Sequence, residues 1–207
     1  DFMDHISPSQ ILDRANCLDK EIPENSYHKS YIHFVNYFSA RDEISEADLI
    51  IGSNFTYGWM PTILNYKSND FAEAIKTLNH AKKPERSADD ELSVLKRLIN
   101  NSLVGTSKLL HFINPDVYAI WDSHVCRCLH GKSAPQKINC VDTYWLYLDL
   151  CKKTATEESL QSQFQGIHKS FIDRIGYEVS PNRIIELIMF INGKEIQNRE
   201  KDKKLLK

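Results

Sequence analysis

The chain has 207 residues, of which 42% are hydrophobic and 26% charged, and its formal net charge is −2. This composition is typical of a soluble globular protein, and the near balance of charge excludes a general attraction to nucleic acid. Five cysteines without a framework spacing indicate free thiols and a cytoplasmic location. No apolar run has the roughly 18 residues that a membrane span needs.

Helix signals follow one another along the chain, and no segment has a convincing period of two. Ser45 followed by Asp48 resembles a capping box, and Ser87 followed by Asp90 repeats this pattern before residues 91–104. One face of that predicted helix carries only apolar side chains. They are Leu92, Leu95, Leu98, Ile99 and Leu103.

The later helices carry similar signals. Thr156 precedes two glutamates and is predicted to cap a helix whose dipole favours acids in its first turn. Ser180 and Pro181 are predicted to open the last helix, with Gly193 near its end and residues 193–207 frayed. Since seven Gly and seven Pro residues are too few for a sandwich or barrel, we predict an all-α fold of about ten helices.

Polar stretches separate these helices. They are residues 65–70, 81–89, 113–116 and 130–139. Because they are short loops rather than linkers, residues 1–207 are predicted to form a single domain. The chain shows no signal-peptide pattern, and its first residue is Asp1 rather than Met, so the native start stays open.

Residues 105–130 form the most unusual stretch, because two charged side chains stand among apolar ones. Residues 105–114 are predicted to form a short helix that is apolar on most sides and carries Lys108. After an apolar connector, Asp122 is predicted to cap the next helix, a contribution of about 1 kcal/mol. A helix N-terminus also stabilises negative charge, so a cap and a reactive carboxylate are compatible.

Two strings in this stretch carry a resemblance to a known family. Residues 121–125 (WDSHV) resemble the segment of helix-hairpin-helix DNA glycosylases in which an aspartate follows the hairpin and begins the next helix. Residues 105–108 (GTSK) are similar to the hairpin turn of the 8-oxoguanine-glycosylase-like branch, with Gly105 alone left of the glycine-rich turn. The resemblance covers about residues 90–130, the predicted catalytic segment, and implies a two-lobed glycosylase-like fold with a degenerate helix-hairpin-helix.

The resemblance implies a monomeric DNA N-glycosylase, a hydrolase that flips a modified base out of double-stranded DNA and leaves an abasic site. Small bacterial members that attack hypermodified cytosine in phage DNA would serve antiviral defence. Asp122 is then the catalytic carboxylate. Lys108 is either a nucleophile that forms a Schiff base or a cation that binds a phosphate or pairs with an acid.

A glycosylase must also hold the extruded base between apolar walls. The aromatic side chains of residues 54–66 either form such a wall or pack in the core. Asn100, Asn101 and Ser102 would offer amides to the DNA backbone, as a hairpin turn does. The residues predicted to line the base pocket or to contact DNA are Asn54, Tyr57, Trp59, Trp121, His124, Asn101 and Gly105.

Other patterns favour simpler interpretations. The His and Cys residues of 124–130 alternate along a helix and diverge, so neither a metal site nor a cofactor is predicted. Arg183 and Glu186 predict a structural ion pair that contributes little if exposed. Seven basic residues form either a DNA-binding stripe or solvated faces. They are Lys96, Arg97, Arg127, Lys132, Lys137, Lys152 and Lys153. The alternative function is a non-catalytic helical DNA-binding or defence-associated module in which Asp122 is only a helix cap.

Overall fold

The computed structural model describes residues 6–21 and 24–205. Within these ranges 71% of the residues are helical and no strand is present, which confirms the predicted all-α class. The predicted domain of residues 1–207 also includes residues 1–5, 22–23 and 206–207, which lie outside the described residues. None of the helices in these ranges combines the length and the apolar character that a membrane crossing requires.

The described residues contain ten α-helices and three short 3-10 helices. The α-helices are α1 (Pro8–Leu12), α2 (Ser26–Ser39), α3 (Glu46–Trp59), α4 (Phe71–Ala81), α5 (Asp89–Leu98), α6 (Leu103–Ile113), α7 (Ser123–His130), α8 (Val141–Thr156), α9 (Gln161–Ile175) and α10 (Pro181–Leu205). The 3-10 helices are Ala15–Lys20, Pro135–Lys137 and Glu158–Leu160.

These helices fall into two compact units. The first unit contains residues 6–21 and 121–205, and the second unit contains residues 24–120. In the first unit α10 packs against α1, α7 and α8. In the second unit α6 is the central helix, with α2, α3, α4 and α5 around it, and every residue of α6 except Val104 is buried. The predicted apolar character of this helix thus reflects contacts on nearly all of its sides.

The caps that depend on neighbouring residues form as predicted. Ser45 caps α3 and accepts from the Asp48 N–H at 3.3 Å, while the Asp48 carboxylate accepts from the Ser45 N–H at 3.0 Å. Burial raises the pKa of the Asp48 carboxyl, but hydrogen bonds from Ser45, Arg41 and Tyr37 outweigh it and hold that pKa well below its ordinary value. Ser180 caps α10 and accepts from the Arg183 N–H at 3.2 Å.

Two predicted caps have other roles. Ser87 is buried and does not cap α5, because its hydroxyl pairs with the Tyr118 hydroxyl at 3.0 Å. The helix begins at Asp89, and the Glu91 carboxylate accepts from the N–H of Ala88. Thr156 ends α8 instead of starting a helix, and its hydroxyl donates to the Lys152 carbonyl at 2.8 Å. The sequence around a serine or threonine does not determine which hydrogen-bond partner lies nearest to its hydroxyl in the folded chain.

The last helix is longer than predicted. It runs to Leu205 and passes through Gly193, which was expected near its end. A Cβ atom at Gly193 would lie 1.9 Å from the carbonyl oxygen of His124 on α7. Gly193 is therefore needed for the close approach of two helices and not for a helix end.

The predicted ion pair of α10 is present but buried. The Arg183 guanidinium donates to the Glu186 carboxylate, and the two side chains are only 4% and 3% exposed. An interaction expected to be weak at the surface is therefore an internal one, in which each charge helps to compensate the other.

Candidate functional site

Asp122 is the N-cap of α7 in the first unit. One of its carboxylate oxygens, Oδ1, accepts hydrogen bonds from the backbone N–H of His124 at 2.8 Å and of Val125 at 3.0 Å. The predicted cap is therefore confirmed. Two donors on one oxygen hold the half-buried carboxylate in a single orientation at the positive end of the helix dipole.

The helix that Asp122 caps, α7, packs tightly against α10. Its first turn meets Gly193 through the His124 carbonyl, and the His124 ring packs edge-on against Phe190 with centroids 5.0 Å apart. Near its other end, Arg127 donates to the Glu200 carboxylate at 3.2 Å. His124, predicted to contact DNA, thus has a packing role within the first unit, and α7 has little freedom to rotate.

Trp121, the residue directly before Asp122, is anchored in the core of the first unit. It is buried, its indole Nε1 donates to the Ile138 carbonyl at 2.8 Å, and its ring lies 5.2 Å from that of Tyr147. Trp121 was predicted to line the base pocket, and these contacts favour a packing role instead. The tryptophan positions Asp122 from one side as α7 does from the other.

Lys108 lies in the second unit, whereas Asp122 belongs to the first. The lysine is on the central helix α6, and only 8% of it is exposed. An ammonium group this deeply placed is costly unless charged or polar groups compensate it, which distinguishes Lys108 from an ordinary surface lysine. Both of its predicted roles, nucleophile and cation paired with an acid, fit such a position.

Gly105 and Tyr57 form a close packing contact in the second unit. Gly105 lies in the first turn of α6 and not in the turn that precedes this helix. A Cβ atom there would come within 2.2 Å of the Tyr57 hydroxyl. Burial raises the pKa of Tyr57 to about 12, and the side chain is only 2% exposed. Both residues, predicted to contact DNA or the base, are thus placed in the core.

The aromatic residues of 54–66 do not all share one environment, although Phe55 and Trp59 both pack on Phe112. Phe55 stacks on Phe34 with ring centroids 4.3 Å apart, and Trp59, which is half-buried, packs edge-on against Phe112 at 5.3 Å. Tyr66 faces another direction, since its hydroxyl lies 2.6 Å from the hydroxyl of Ser53. Core packing therefore accounts for most of this group.

Asn54 is the polar member of the same segment. It lies on the exposed face of α3, and its side-chain amide donates to the Ile50 carbonyl at 2.8 Å. The side chain is exposed and accessible to a partner, whereas the Tyr57 ring that was expected to share its pocket is buried.

The turn between α5 and α6 contains two residues in a left-handed backbone conformation. Asn100 and Asn101 have φ values of 56° and 50°, a left-handed conformation that asparagine tolerates better than most residues. The N–H of Asn100 donates to the Asn65 carbonyl at 3.1 Å, and the N–H of Ser102 donates to the Ile99 carbonyl at 3.0 Å. Two of the three amides expected to face a DNA backbone are therefore already used within the protein.

A basic concave surface lies beside this turn. Its volume is about 580 Å³, and it is lined by Lys67, Ser93, Lys96, Arg97 and Asn101. Arg97 is bound to the Asp70 carboxylate at 2.8 Å. Asn101, Lys96 and Arg97 were predicted DNA-contacting or stripe residues, and the structure brings these three together. The other basic residues of the predicted stripe belong to the first unit.

Lys67 is the member of this surface that sequence reasoning missed. It lies far from the α5–α6 hairpin along the chain and reaches it because Tyr66 pairs with Ile99 in an isolated β-bridge. The Lys67 N–H also donates to the Leu98 carbonyl at 2.9 Å. No local pattern signals such a pairing, since it depends on a long-range backbone contact.

The thiols of α7 are chemically quiet. Burial raises the pKa of Cys126 and of Cys128 to about 11, so both remain protonated at neutral pH. Across residues 6–21 and 24–205, no group of three or more His, Cys, Asp and Glu side chains is arranged to hold a metal ion.

Comparison with known proteins found no matching family model, no matching curated protein and no matching solved structure.

Proposed function

We propose that this protein is a DNA glycosylase that flips a modified base out of double-stranded DNA and hydrolyses its N-glycosidic bond. The observation that carries the proposal is the Asp122 carboxylate, which two backbone N–H groups hold at the start of α7. The sequence resemblance over about residues 90–130 and the basic surface at the α5–α6 turn support the same function.

The proposed chemistry needs a fixed negative charge. Breaking the N-glycosidic bond builds positive charge on the deoxyribose, and a carboxylate close to the sugar opposes it. At about 4 Å and an effective dielectric constant near 20, this attraction amounts to roughly 4 kcal/mol. That energy corresponds to about a thousandfold in rate. Asp122 would also orient the water that attacks C1′, and its cap hydrogen bonds spare it from reorganising during the reaction.

The basic surface supplies the sequence-independent part of DNA binding in this proposal. Lys67 and Lys96 would contact phosphates, and Asn101 would donate hydrogen bonds to them. Side chains thus replace the turn amides that are used inside the protein. The bacterial members that the sequence resembles make phage DNA with hypermodified cytosines the first substrate to try.

Replacing Asp122 with asparagine is expected to lower base release by about a thousandfold. Asparagine can still cap α7, so thermal unfolding should change little. The assay incubates the protein with DNAs that carry different modified bases and detects abasic sites by heat-alkali cleavage. Asp142, an exposed acid in the first turn of α8, is the matched control, and its asparagine variant should keep full activity. Undiminished base release by the Asp122 variant would contradict the proposal.

Lys108 is expected to give no borohydride-trapped adduct with substrate DNA, because water activated by Asp122 completes the hydrolysis without an amine. Only a Schiff base is reduced by borohydride to a stable covalent complex. A trapped complex that disappears in a Lys108→Met variant would instead make the lysine the nucleophile and add lyase activity to the proposed function.

A second candidate function is a non-catalytic DNA-binding module. The basic surface favours it, because phosphate contacts need no carboxylate at Asp122. Detection of abasic sites distinguishes the two functions. A protein that binds duplex DNA and produces abasic sites in none of the substrates is the module.

A further inference from the structure

The exposed face of α3 carries no charge. A helix turns by about 100° per residue, so five exposed positions of α3 fall within roughly 100° of its circumference. They are Ala47, Ile50, Ile51, Asn54 and Gly58, which we name the α3 face. Neighbouring α4 differs, because its exposed positions include Glu73 and Lys76. A helix with an uncharged outer side is unusual in a chain of which 26% is charged.

The two isoleucines of this face are 38% and 48% exposed. They do not belong to an incomplete core, since the opposite side of α3 packs against α2, α4 and α6. Burying an isoleucine is favourable, so the fold forgoes stability at both positions. Exposed apolar side chains that share one face, without charge between them, indicate a surface that another molecule covers.

Gly58 leaves a gap on the α3 face. A Cβ atom there would have no neighbour within 4 Å, so alanine would fit and would favour the helix by up to about 1 kcal/mol. Ile50 lies about two turns earlier on the same face. When a second copy of the chain is turned by 180°, its Ile50 comes over this Gly58, and the reverse contact forms at the same time. The α3 face therefore has the shape that pairing with itself requires.

Asn54 lies midway between Ile50 and Gly58 and is the polar side chain of the α3 face. Its amide donates one N–H to the Ile50 carbonyl at 2.8 Å, which leaves its second N–H and its oxygen for a partner. A two-fold axis at this position brings Asn54 against Asn54 of the second copy, where each amide can donate to the other. An asparagine in an otherwise apolar helix contact fixes the register of the two helices.

We infer that the α3 face joins two copies of this chain in a dimer, with antiparallel α3 helices that cross at Asn54. A two-fold axis sets a surface against the same surface, so a charged face would repel its copy and a neutral face does not. The contact is at the low end of specific interfaces, on the order of 600 Å² per partner, and the dimer is therefore weak. This inference goes beyond the proposed function and does not rest on it. It replaces the monomer that the sequence resemblance implies.

Sedimentation velocity of the full chain across the micromolar range tests the dimer. Wild-type protein is expected to shift from monomer to dimer as its concentration rises. Ile50→Glu places a carboxylate in the apolar contact without a cation to pair with, and it should raise the dissociation constant about tenfold or more. Thermal unfolding of this variant should change little, since the position is on the surface. Leu146→Glu is the matched control, because Leu146 on α8 is 37% exposed, and this variant should dimerise as wild type does.

A cysteine at the axis tests the arrangement of the two helices. In an Asn54→Cys variant the two thiols meet across the axis, and mild oxidation should join the chains by a disulfide. Cys140→Ser is included in the background, because Cys140 is only half-buried whereas the other four cysteines are buried. Ser39→Cys in the same background is the control, since Ser39 is exposed at the end of α2 and outside the α3 face. It should give little cross-linked product.

Three results would overturn the inference. The first is a wild-type protein that stays monomeric at every concentration, which would leave the α3 face to a different partner. The second is an Ile50→Glu variant that dimerises as tightly as wild type. The third is equal cross-linking of the Asn54→Cys and Ser39→Cys variants. Failure of the proposed function changes none of these measurements, because they contain no DNA.

Discussion

Replacing Gly193 with alanine is expected to destabilise the protein by about 2 kcal/mol, although alanine is the better helix former. A Cβ atom there would lie 1.9 Å from the His124 carbonyl oxygen and 2.6 Å from its carbon. Both are backbone atoms, so α7 and α10 must separate instead of a side chain rotating away. The lost packing outweighs the roughly 1 kcal/mol that alanine gains over glycine in a helix. Urea unfolding of both proteins measures the difference.

Gly166 provides the matched control for this substitution. It lies within α9, and nothing would stand within 4 Å of its Cβ atom. Gly166→Ala is therefore expected to raise the free energy of unfolding by up to about 1 kcal/mol, the opposite sign. Equal stabilisation by the two substitutions would show that α7 and α10 are not held together at Gly193.

The Gly193 variant also bears on the candidate site. Because the His124 N–H is a cap donor to Asp122, any displacement of α7 displaces the carboxylate. Base release should therefore fall in Gly193→Ala at temperatures where the protein is still folded, and it should stay unchanged in Gly166→Ala. This comparison separates loss of geometry at Asp122 from loss of folded protein.

Replacing Arg183 with methionine is expected to lower the free energy of unfolding by about 3–5 kcal/mol. The arginine and Glu186 are 4% and 3% exposed at their side chains, so the substitution leaves a buried carboxylate without its cation. Desolvation of that charge, more than the loss of one hydrogen bond, causes the effect. Urea unfolding at neutral pH is the measurement.

Removal of both charges should restore most of this stability. In a variant that combines Arg183→Met with Glu186→Leu, apolar side chains of similar size fill the same space, and such exchanges are often neutral. Lys169→Met breaks the exposed pair between Lys169 and Asp173, in which the side chains are 76% and 61% exposed. It should produce no measurable change. A single Arg183 variant as stable as wild type would mean that Glu186 is compensated without the arginine.

Local hydrogen bonds explain which elements could be predicted. Ser45, Asp122 and Ser180 cap helices as their neighbours in sequence indicate, because a cap joins atoms only two or three residues apart. Ser87 and Thr156 carry similar patterns but bind Tyr118 and Lys152 instead. In each case a competing hydrogen-bond partner lies nearer in space than the helix N–H group. For Ser87 that partner is Tyr118, which is 31 residues away in sequence.

The candidate site likewise combines features that local sequence predicts with features that depend on tertiary packing. The position of Asp122 at the start of α7 follows from residues 121–125 alone. The packing of Tyr57 on Gly105 does not, because the two residues lie on different helices and nothing in either segment indicates the other. Polar and aromatic residues in one stretch were expected to share a pocket, yet a helix sends neighbouring side chains in different directions.

The sequence by itself determined the all-α class, the helix starts that local caps define, and the carboxylate of Asp122 at one of them. These features depend on hydrogen bonds and periodicities within a few residues. Only the tertiary structure decided that Gly193 is a helix contact, that Arg183 and Glu186 are buried, and that Lys67 and Ile63 join the α5–α6 turn. Each of these depends on packing or hydrogen bonds between segments that lie far apart in the chain, and no single segment contains that information.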